Sequence, residues 1–403
     1  MKSLVFKILI SILSVIIGWG CSQAKGEESV LSMILTGSMH GQLDPCGWKK
    51  NPMGGLPRRL TKINEIRTSD SNPLIVDAGD FFFSTKKINI GNKQSEKIRA
   101  ESILKGYEKI GYDILNVGEY ETLVGLPFLR RMSEKVSIPF ISANLKEKST
   151  NQLIFDPYKI INRNNLTIAF IGLTNNLADT SSTILMDDYL ESGKKYIKEV
   201  SSKSDMIVLL VNADRSTQSE LVDAFPKVDF IITSGSTNMS RESSPQKEGG
   251  PYLYSCGKQG KYLLKVDMNI KDSKKPIIDV SHHKKNLVSI DKRFTRLQKK
   301  DPSKTLEEIY ADQSNVLSLI EKYRNELSES KKIIETAINT IEYKTIGLNR
   351  KIKDDPDMLT FVEKALVSCD AYAPKVSEKP KSYLSKKNNI KGKSKINHSG
   401  HSH

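Results

Sequence analysis

Between Val30 and His282, short aliphatic and β-branched runs alternate with helix-length amphipathic stretches, which restricts this region to a layered α/β fold. The runs Leu31–Leu35, Leu74–Val76, Thr167–Ile171, Met206–Val211 and Asp229–Ile232 are mostly apolar, as strands are when both faces of their sheet are covered. Leu56–Arg67 and Ser95–Ile110 supply helices between them. Glycine or asparagine follows several runs, at Gly79, Gly118, Gly172, Asn212 and Gly235, where α/β sheets build their sites. Tyr262–Ile270 and Pro276–Ser281 read as paired strands that close the domain.

The first 20 residues read as an export signal. Lys2 and Lys7 flank the start of an apolar run, Ile8 to Gly18, that ends at Gly20-Cys21. That run is about half the ~20 residues needed to span a bilayer. Ile17-Gly18-Trp19-Gly20-Cys21 resembles a bacterial lipobox, which predicts lipid on Cys21 and residues 21–29 as a tether. Ser22 after the cysteine points to the outer membrane rather than retention at the inner one. Export leaves Cys46, Cys256 and Cys369, of which one pair could close in an oxidising compartment.

Residues 283–304 read as a basic linker and 305–370 as a helical extension. Steps of three and four from Leu306 through Ile309, Gln313, Val316, Ile320, Tyr323, Leu327, Ser330, Ile334 and Ala337 to Ile341 trace a seam that is apolar except at Gln313 and Ser330. Two polar seam positions favour packing on the same chain over a coiled-coil dimer. Asp354-Asp355-Pro356-Asp357 caps a short final helix. From Ala371 to His403 the composition is that of a disordered tail, with eight lysines against one glutamate. The chain's formal +15 therefore falls to +6 over residues 21–370 once the tail (+7) and the signal (+2) are set aside. Lys375–Lys395 would meet anionic lipid or polymer, and His398, His401 and His403 read as a solvated polar terminus, with a loose transition-metal site as the alternative. Without aromatic interleaving, specific nucleic-acid recognition is not expected.

Four segments carry the chemistry: Met33-Ile-Leu-Thr-Gly-Ser-Met-His40-Gly-Gln-Leu, Gly54-Gly55-Leu56-Pro57-Arg58-Arg59, Leu74-Ile-Val-Asp77-Ala-Gly79-Asp80-Phe-Phe, and Tyr112-Asp113-Ile-Leu-Asn-Val-Gly118-Glu119-Tyr120-Glu121. In this order they resemble the 5′-nucleotidase branch of the calcineurin-like metallophosphoesterases. Pro139–Leu145 and Leu166–Thr174 match that family's next two strands, so the resemblance covers about residues 30–282. It implies a β-sandwich flanked by helices, followed here by the helical extension and the basic tail. Active nucleotidases of the family also carry a second, base-stacking domain. No second α/β pattern follows residue 282 in this sequence.

The family's reaction uses two metal ions bridged by one carboxylate. Carried over position by position, the bridging aspartate falls on Asp80 and one histidine ligand on His40. The first aspartate falls on Ser38 and the ligand asparagine on Glu119. The catalytic histidine falls on Tyr120, and the later histidines on Asn212, Gly235 and Thr237. His40 is the one histidine between residues 22 and 281, so no other imidazole from that region can substitute. The expectation is a degenerate site that serves binding or structure. The alternative is a reduced phosphoesterase holding one divalent ion (Mn, Fe, Zn, Mg or Ca) on Asp80, His40 and Glu119, with Glu121 nearby. A second alternative is a polyanion-binding lipoprotein acting through its tail. Arg58 and Arg59 read either as an anion clamp or as a paired helix start, and Cys46 as a disulfide or turn residue rather than a nucleophile.

Overall fold

In a computed structural model, which describes residues 29–47, 50–70, 72–178, 182–247 and 249–373, the alternation becomes two facing sheets with helices on both outer sides. In chain order the strands are β1 (Ser29–Thr36), β2 (Leu74–Asp77), β3 (Ile114–Asn116), β4 (Phe140–Ile141), β5 (Leu145–Glu147), β6 (Tyr158–Arg163) and β7 (Leu166–Thr174). They continue as β8 (Ile184–Met186), β9 (Met206–Asn212), β10 (Phe230–Ser234), β11 (Tyr252–Ser255), β12 (Tyr262–Ile270), β13 (Ile277–Asp279) and β14 (Asn339–Gly347). One sheet has the order β13-β14-β12-β1-β2-β3-β4, the other β11-β10-β9-β7-β6, and β5 pairs with β8 as a separate ribbon.

Period-two alternation decides what each strand faces. Leu31, Met33 and Leu35 of β1 point between the sheets, where they meet Ile168, Phe170, Val208, Leu210, Phe230 and Ile232. Ile34 points the other way, into a second core under helices α1 (Leu56–Arg67) and α2 (Lys93–Ile110). A third core forms where α4 (Tyr189–Val200) covers the outer face of the second sheet; α3 (Leu126–Ser133) joins the second core. This is the α/β sandwich expected of the sequence.

Past residue 276 the structure departs from expectation. β12 and β13 do not pair with each other; both pair with β14, which lies between them. The supposed linker 283–304 is mostly helix α5 (Ser281–Gln298). Within the expected helical extension, the seam is helical in α6 (Ser314–Thr336) and then breaks, so that Ile341 is a buried strand residue of β14. A helical seam and a strand's inner face both want apolar residues, and period alone does not show where one yields to the other. α6 packs antiparallel on α5 of the same chain: His283 Nδ1 lies 3.3 Å from Ser330 Oγ, and Phe294 stacks edge-on against Tyr323. The last helix, α7 (Pro356–Ala371), starts as expected: Asp355 caps it by accepting from Met358 N. Its Met358, Val362, Ala365 and Cys369 form a buried stripe, and the first three join the core beneath α1 and α2.

Cys46, Cys256 and Cys369 are free thiols; Cys46 forms a backbone bridge with Met53. The signal, Cys21, Lys375–Lys395 and the terminal histidines lie outside the described residues. No described helix is long and apolar enough to cross a membrane.

Two buried polar assemblies fix the loops at the carboxyl ends of the strands. Arg59 is fully buried, and its guanidinium donates to the hydroxyl of Tyr112 at 2.6 Å and, more weakly, to that of Tyr107 at 3.3 Å. Tyr107 and Thr36 in turn donate to Asp77, whose other oxygen accepts from Gly79 N. Burial pushes the Asp77 carboxyl upward, opposed by these donors and by the Arg59 charge. Glu121 is equally buried and gathers four backbone N–H groups, from Asp80, Phe81, Phe82 and Gly118, at 2.8–3.0 Å.

Arg59→Met is therefore expected to destabilise the fold by about 3 kcal/mol or more, because it strips the buried Asp77 of its countercharge. Glu121→Gln turns an all-acceptor group into one that points N–H at N–H. Roughly 2–6 kcal/mol should be lost if two amides go unsatisfied. Guanidinium unfolding of each variant against the parent measures both, and a loss under about 0.5 kcal/mol would contradict the assigned roles.

Candidate functional site

The loops after β1, β2, β3, β9 and β10 meet at one end of the sandwich. The first two are zipped together by backbone bonds: Ser38 N to Gly79 O, His40 N to Asp80 O and Gly41 N to Phe81 O. Ser38, His40 and Asp80 all take left-handed φ values of 48–63°, a conformation that costs energy for any residue with a Cβ and is retained where the surroundings impose it. Gly118 sits so close beneath Asp80 and Asn212 that a Cβ there would lie 2.7 Å from Asp80 Oδ1. Glycine is the residue this approach allows.

The structure thus brings together Ser38, His40, Asp80, Glu119, Tyr120, Asn212 and Gly235, as the motif positions imply, whereas Thr237 is exposed on the rim. What these residues do there is bond to one another. Ser38 Oγ accepts from Gly235 N at 3.0 Å. Asp80 Oδ1 accepts from Tyr120 N at 3.0 Å, and Asn212 also bonds its carboxylate. Asn212 Oδ1 accepts from Glu119 N and Thr174 Oγ1, while its Nδ2 donates to Ser234 Oγ, which donates to Ala78 O in the facing sheet. Glu121, considered beside Glu119 as an extra ligand, is consumed by its four amides.

Lys86 holds the remaining carboxylate. Its Nζ donates to Glu119 Oε2 at 2.5 Å and lies 5.6 Å from the centre of the Tyr120 ring. No motif flags this lysine, which stands in the polar loop after Phe83; its only sequence signal is its place just downstream of Asp80. The Tyr120 ring packs against His40, centroids 4.5 Å apart. Burial, and after it the charges of Lys86 and Lys258, push His40 down to about 4, so its imidazole is neutral at physiological pH. His40 Nδ1 is buried without a hydrogen-bond partner among the described residues. Burial pushes the Tyr120 phenol up to about 12, with Asp80 and Glu119 adding to it, so it is a poor general acid near neutrality. Burial also raises the Asp80 carboxyl, and the neighbouring Glu119 raises it further.

This donor set does not fit a pair of divalent ions. Two dications need several anionic or imidazole ligands with free lone pairs. Here Ser38 and Asn212 are committed to protein partners, Glu119 is neutralised by an ammonium, and Gly235 has no side chain. Among the described residues, no group of three or more His, Cys, Asp or Glu side chains is arranged to hold a metal ion.

The two arginines are structural. Arg59 belongs to the buried network, and Arg58 donates to Pro52 O and faces Asp354 at 3.4 Å, so neither is a free anion clamp. Cys46 has its thiol pushed upward, chiefly by burial, which does not suit a nucleophile.

No protein-family model matches the chain. Among curated proteins, the 5′-nucleotidase of Vibrio cholerae is 26% identical over 302 residues, covering 63% of this chain and 52% of that protein. Protein UshA of Escherichia coli is 22% identical over 377 residues, covering 83% of this chain and 64% of that protein. The chain thus spans about half the length of several curated relatives it matches. Among solved structures, a 5′-nucleotidase precursor from Thermus thermophilus matches with a TM-score of 0.57 at 17% identity, covering 85% of this chain and 58% of that one. The calcineurin-like phosphoesterase YfkN from Bacillus subtilis matches with a TM-score of 0.59 at 15% identity, covering 86% and 99%. At such identities the structures establish the fold, and the curated relatives and ordered motifs supply the branch. Sequence relatives and fold alike support a likeness of this chain to the 5′-nucleotidase-like branch of the calcineurin-like metallophosphoesterases.

Proposed function

We propose that this chain is an exported lipoprotein, tethered through Cys21 to the cell envelope at the outer membrane, whose phosphoesterase-like domain serves in binding or structure rather than in two-metal hydrolysis. One observation carries the second part. The side chains at the family's ligand positions hydrogen-bond to each other, and the ammonium of Lys86 sits on Glu119 beside them. A positive charge already placed against one of two candidate carboxylates opposes the approach of a dication. Tyr120, held protonated up to about 12, leaves no group suited to protonating a leaving alkoxide at neutral pH. The loops keep their strained shape because Glu121 and the backbone zipper hold them, so geometry outlasts the ligands. In this reading the positive charge around His40 comes from Lys86 and Lys258.

Elemental analysis of purified residues 22–373, beside an Asp80→Ala control, tests this reading; the span omits the terminal histidines, which would confuse the count. Metal no higher than the control is expected, with no manganese- or zinc-stimulated cleavage of p-nitrophenyl phosphate, its bis ester or AMP. Near-stoichiometric metal that the control loses, together with metal-stimulated turnover, would refute it and favour a reduced single-ion site at Asp80, His40 and Glu119.

A further inference from the structure

The first two turns of α2 join the candidate loops to the end of the described chain. Glu96 accepts from Ser84 N at 2.8 Å and from Ser84 Oγ at 2.5 Å, and Arg99 donates to Gly41 O at 3.1 Å. These turns therefore abut the loops after β1 and β2. α7 runs antiparallel to α2. Lys109, near the end of α2, lies 5.7 Å from the centre of the Phe361 ring, whereas Cys369 lies close enough to Arg99 and Glu96 to feel their charges. The chain past Ala373 thus leaves the fold beside the start of α2, at the end of the sandwich that carries the candidate site. Residues 374–403 hold eight lysines against one glutamate.

A basic cluster borders the same two turns. Lys97 Nζ and Arg131 Cζ lie 5.5 and 5.3 Å from the centre of one ring, Phe128, which packs on Phe83 just beyond Asp80. Lys93 opens the helix one turn before Lys97. None of these three cations has an ion-pair partner among the described residues. The neighbouring carboxylates of α2 are engaged elsewhere, Glu96 by Ser84 and Glu101 by Lys105 and Lys135. Burial, and after it the charges of Lys93 and Arg131, push the Lys97 ammonium below its ordinary value. Lysines at the amino end of a helix also oppose its macrodipole, which favours anions there. An anion arriving at this cluster would relieve both conflicts.

We propose that Lys93, Lys97 and Arg131, together with the lysine tail, form one docking surface for a soluble phosphate polymer. This names a partner for the binding role proposed above and rests on that reading. Residues 374–395 can reach at most about 75 Å from Ala373. Two turns of α2 cover about 11 Å, so one polymer can meet the tail and the cluster together. Lysine meets phosphate as a point charge and imposes no fixed geometry on it, which suits a tail of eight lysines and no arginine. Phe128 is buried, so the cluster offers phosphate contacts without a ring for bases to stack on. A polymer in solution is favoured over a lipid layer because the cluster lies at the candidate-site end, away from where β1 begins.

Binding of fluorescently labelled long-chain polyphosphate to residues 22–403 tests this. Removing residues 374–403, which leaves every strand, helix and core described above, should weaken binding about 100-fold or more. The triple variant K93Q/K97Q/R131Q should weaken it about tenfold and make the slope of log affinity against log salt shallower by about 2. K194Q/K195Q/K198Q makes the same change in net charge on α4, which covers the other sheet, and should bind as the parent does. Polyglutamate and phosphatidylglycerol vesicles should bind more weakly than polyphosphate at equal charge. Failure of the parent to bind polyphosphate, no loss in the α2 variant, equal loss in both triple variants, or preference for polyglutamate or vesicles would each overturn the proposal. Circular dichroism melting checks the fold. K93Q/R131Q alters exposed positions alone and leaves Lys97 on Phe128, so it repeats the test should the triple variant melt early. Binding here is read without metal or turnover, so its outcome is separate from that of the hydrolysis test.

Discussion

A single buried carboxylate holds the site end of this domain together. Glu121 accepts four backbone N–H groups, three from the loop after β2 and one from the loop after β3. Its two oxygens meet the acceptor demand of four amides in two tight loops, in a region from which water is excluded. The left-handed backbone at Asp80 and the zipper to the β1 loop depend on that fixed platform. In a family whose chemistry gathers charge around metal ions, the scaffold beneath that charge is itself built from hydrogen bonds, and here the scaffold is complete.

On the reading proposed above, that separation lets other residues stand at the ligand positions without collapse of the loops. Replacing an aspartate by Ser38 leaves a short acceptor that takes up Gly235 N. Replacing a histidine by Asn212 leaves an amide that bridges Glu119 N, Thr174 Oγ1 and Ser234 Oγ across the two sheets. Each of these side chains makes a neutral bond within the protein where the family resemblance implies a charged or imidazole ligand, so fewer like charges face one another across the loops. Lys86 completes the exchange by supplying the positive charge that Glu119 would otherwise lack.

Much of this was legible in the residues. Strand cores such as Leu31–Leu35 and Met206–Val211 are set by their own apolar content, and the ordered glycine, aspartate and histidine motifs meet at one end of the sandwich. The bonds made by the substituted positions were not legible. A serine, an asparagine and a glutamate announce only that certain ligands are gone, and where their atoms turn is decided by partners 20 to 200 residues away. Lys86 was missed because a lysine in a polar loop has no pattern. The linker reading failed because the polar face of α5 is dense in lysine, while its apolar positions Leu287, Ile290, Phe294 and Leu297 find their partner only when α6 folds back on it. β14 was hidden because the apolar period of α6 runs on into a strand.

The place where the chain enters the first sheet also decides where its loops lie. Sheets whose central strands are parallel gather loops at their carboxyl ends, and a chain that enters at the amino end of such a strand necessarily enters opposite those loops. β1 begins at Ser29, so the tether proposed on Cys21 would join the domain at the end opposite the candidate site. The strand order, and not the charge on any one helix, decides which end is presented. On the reading proposed above, the rim with Lys86, Lys258 and the neutral His40 then lies on the side away from the tether.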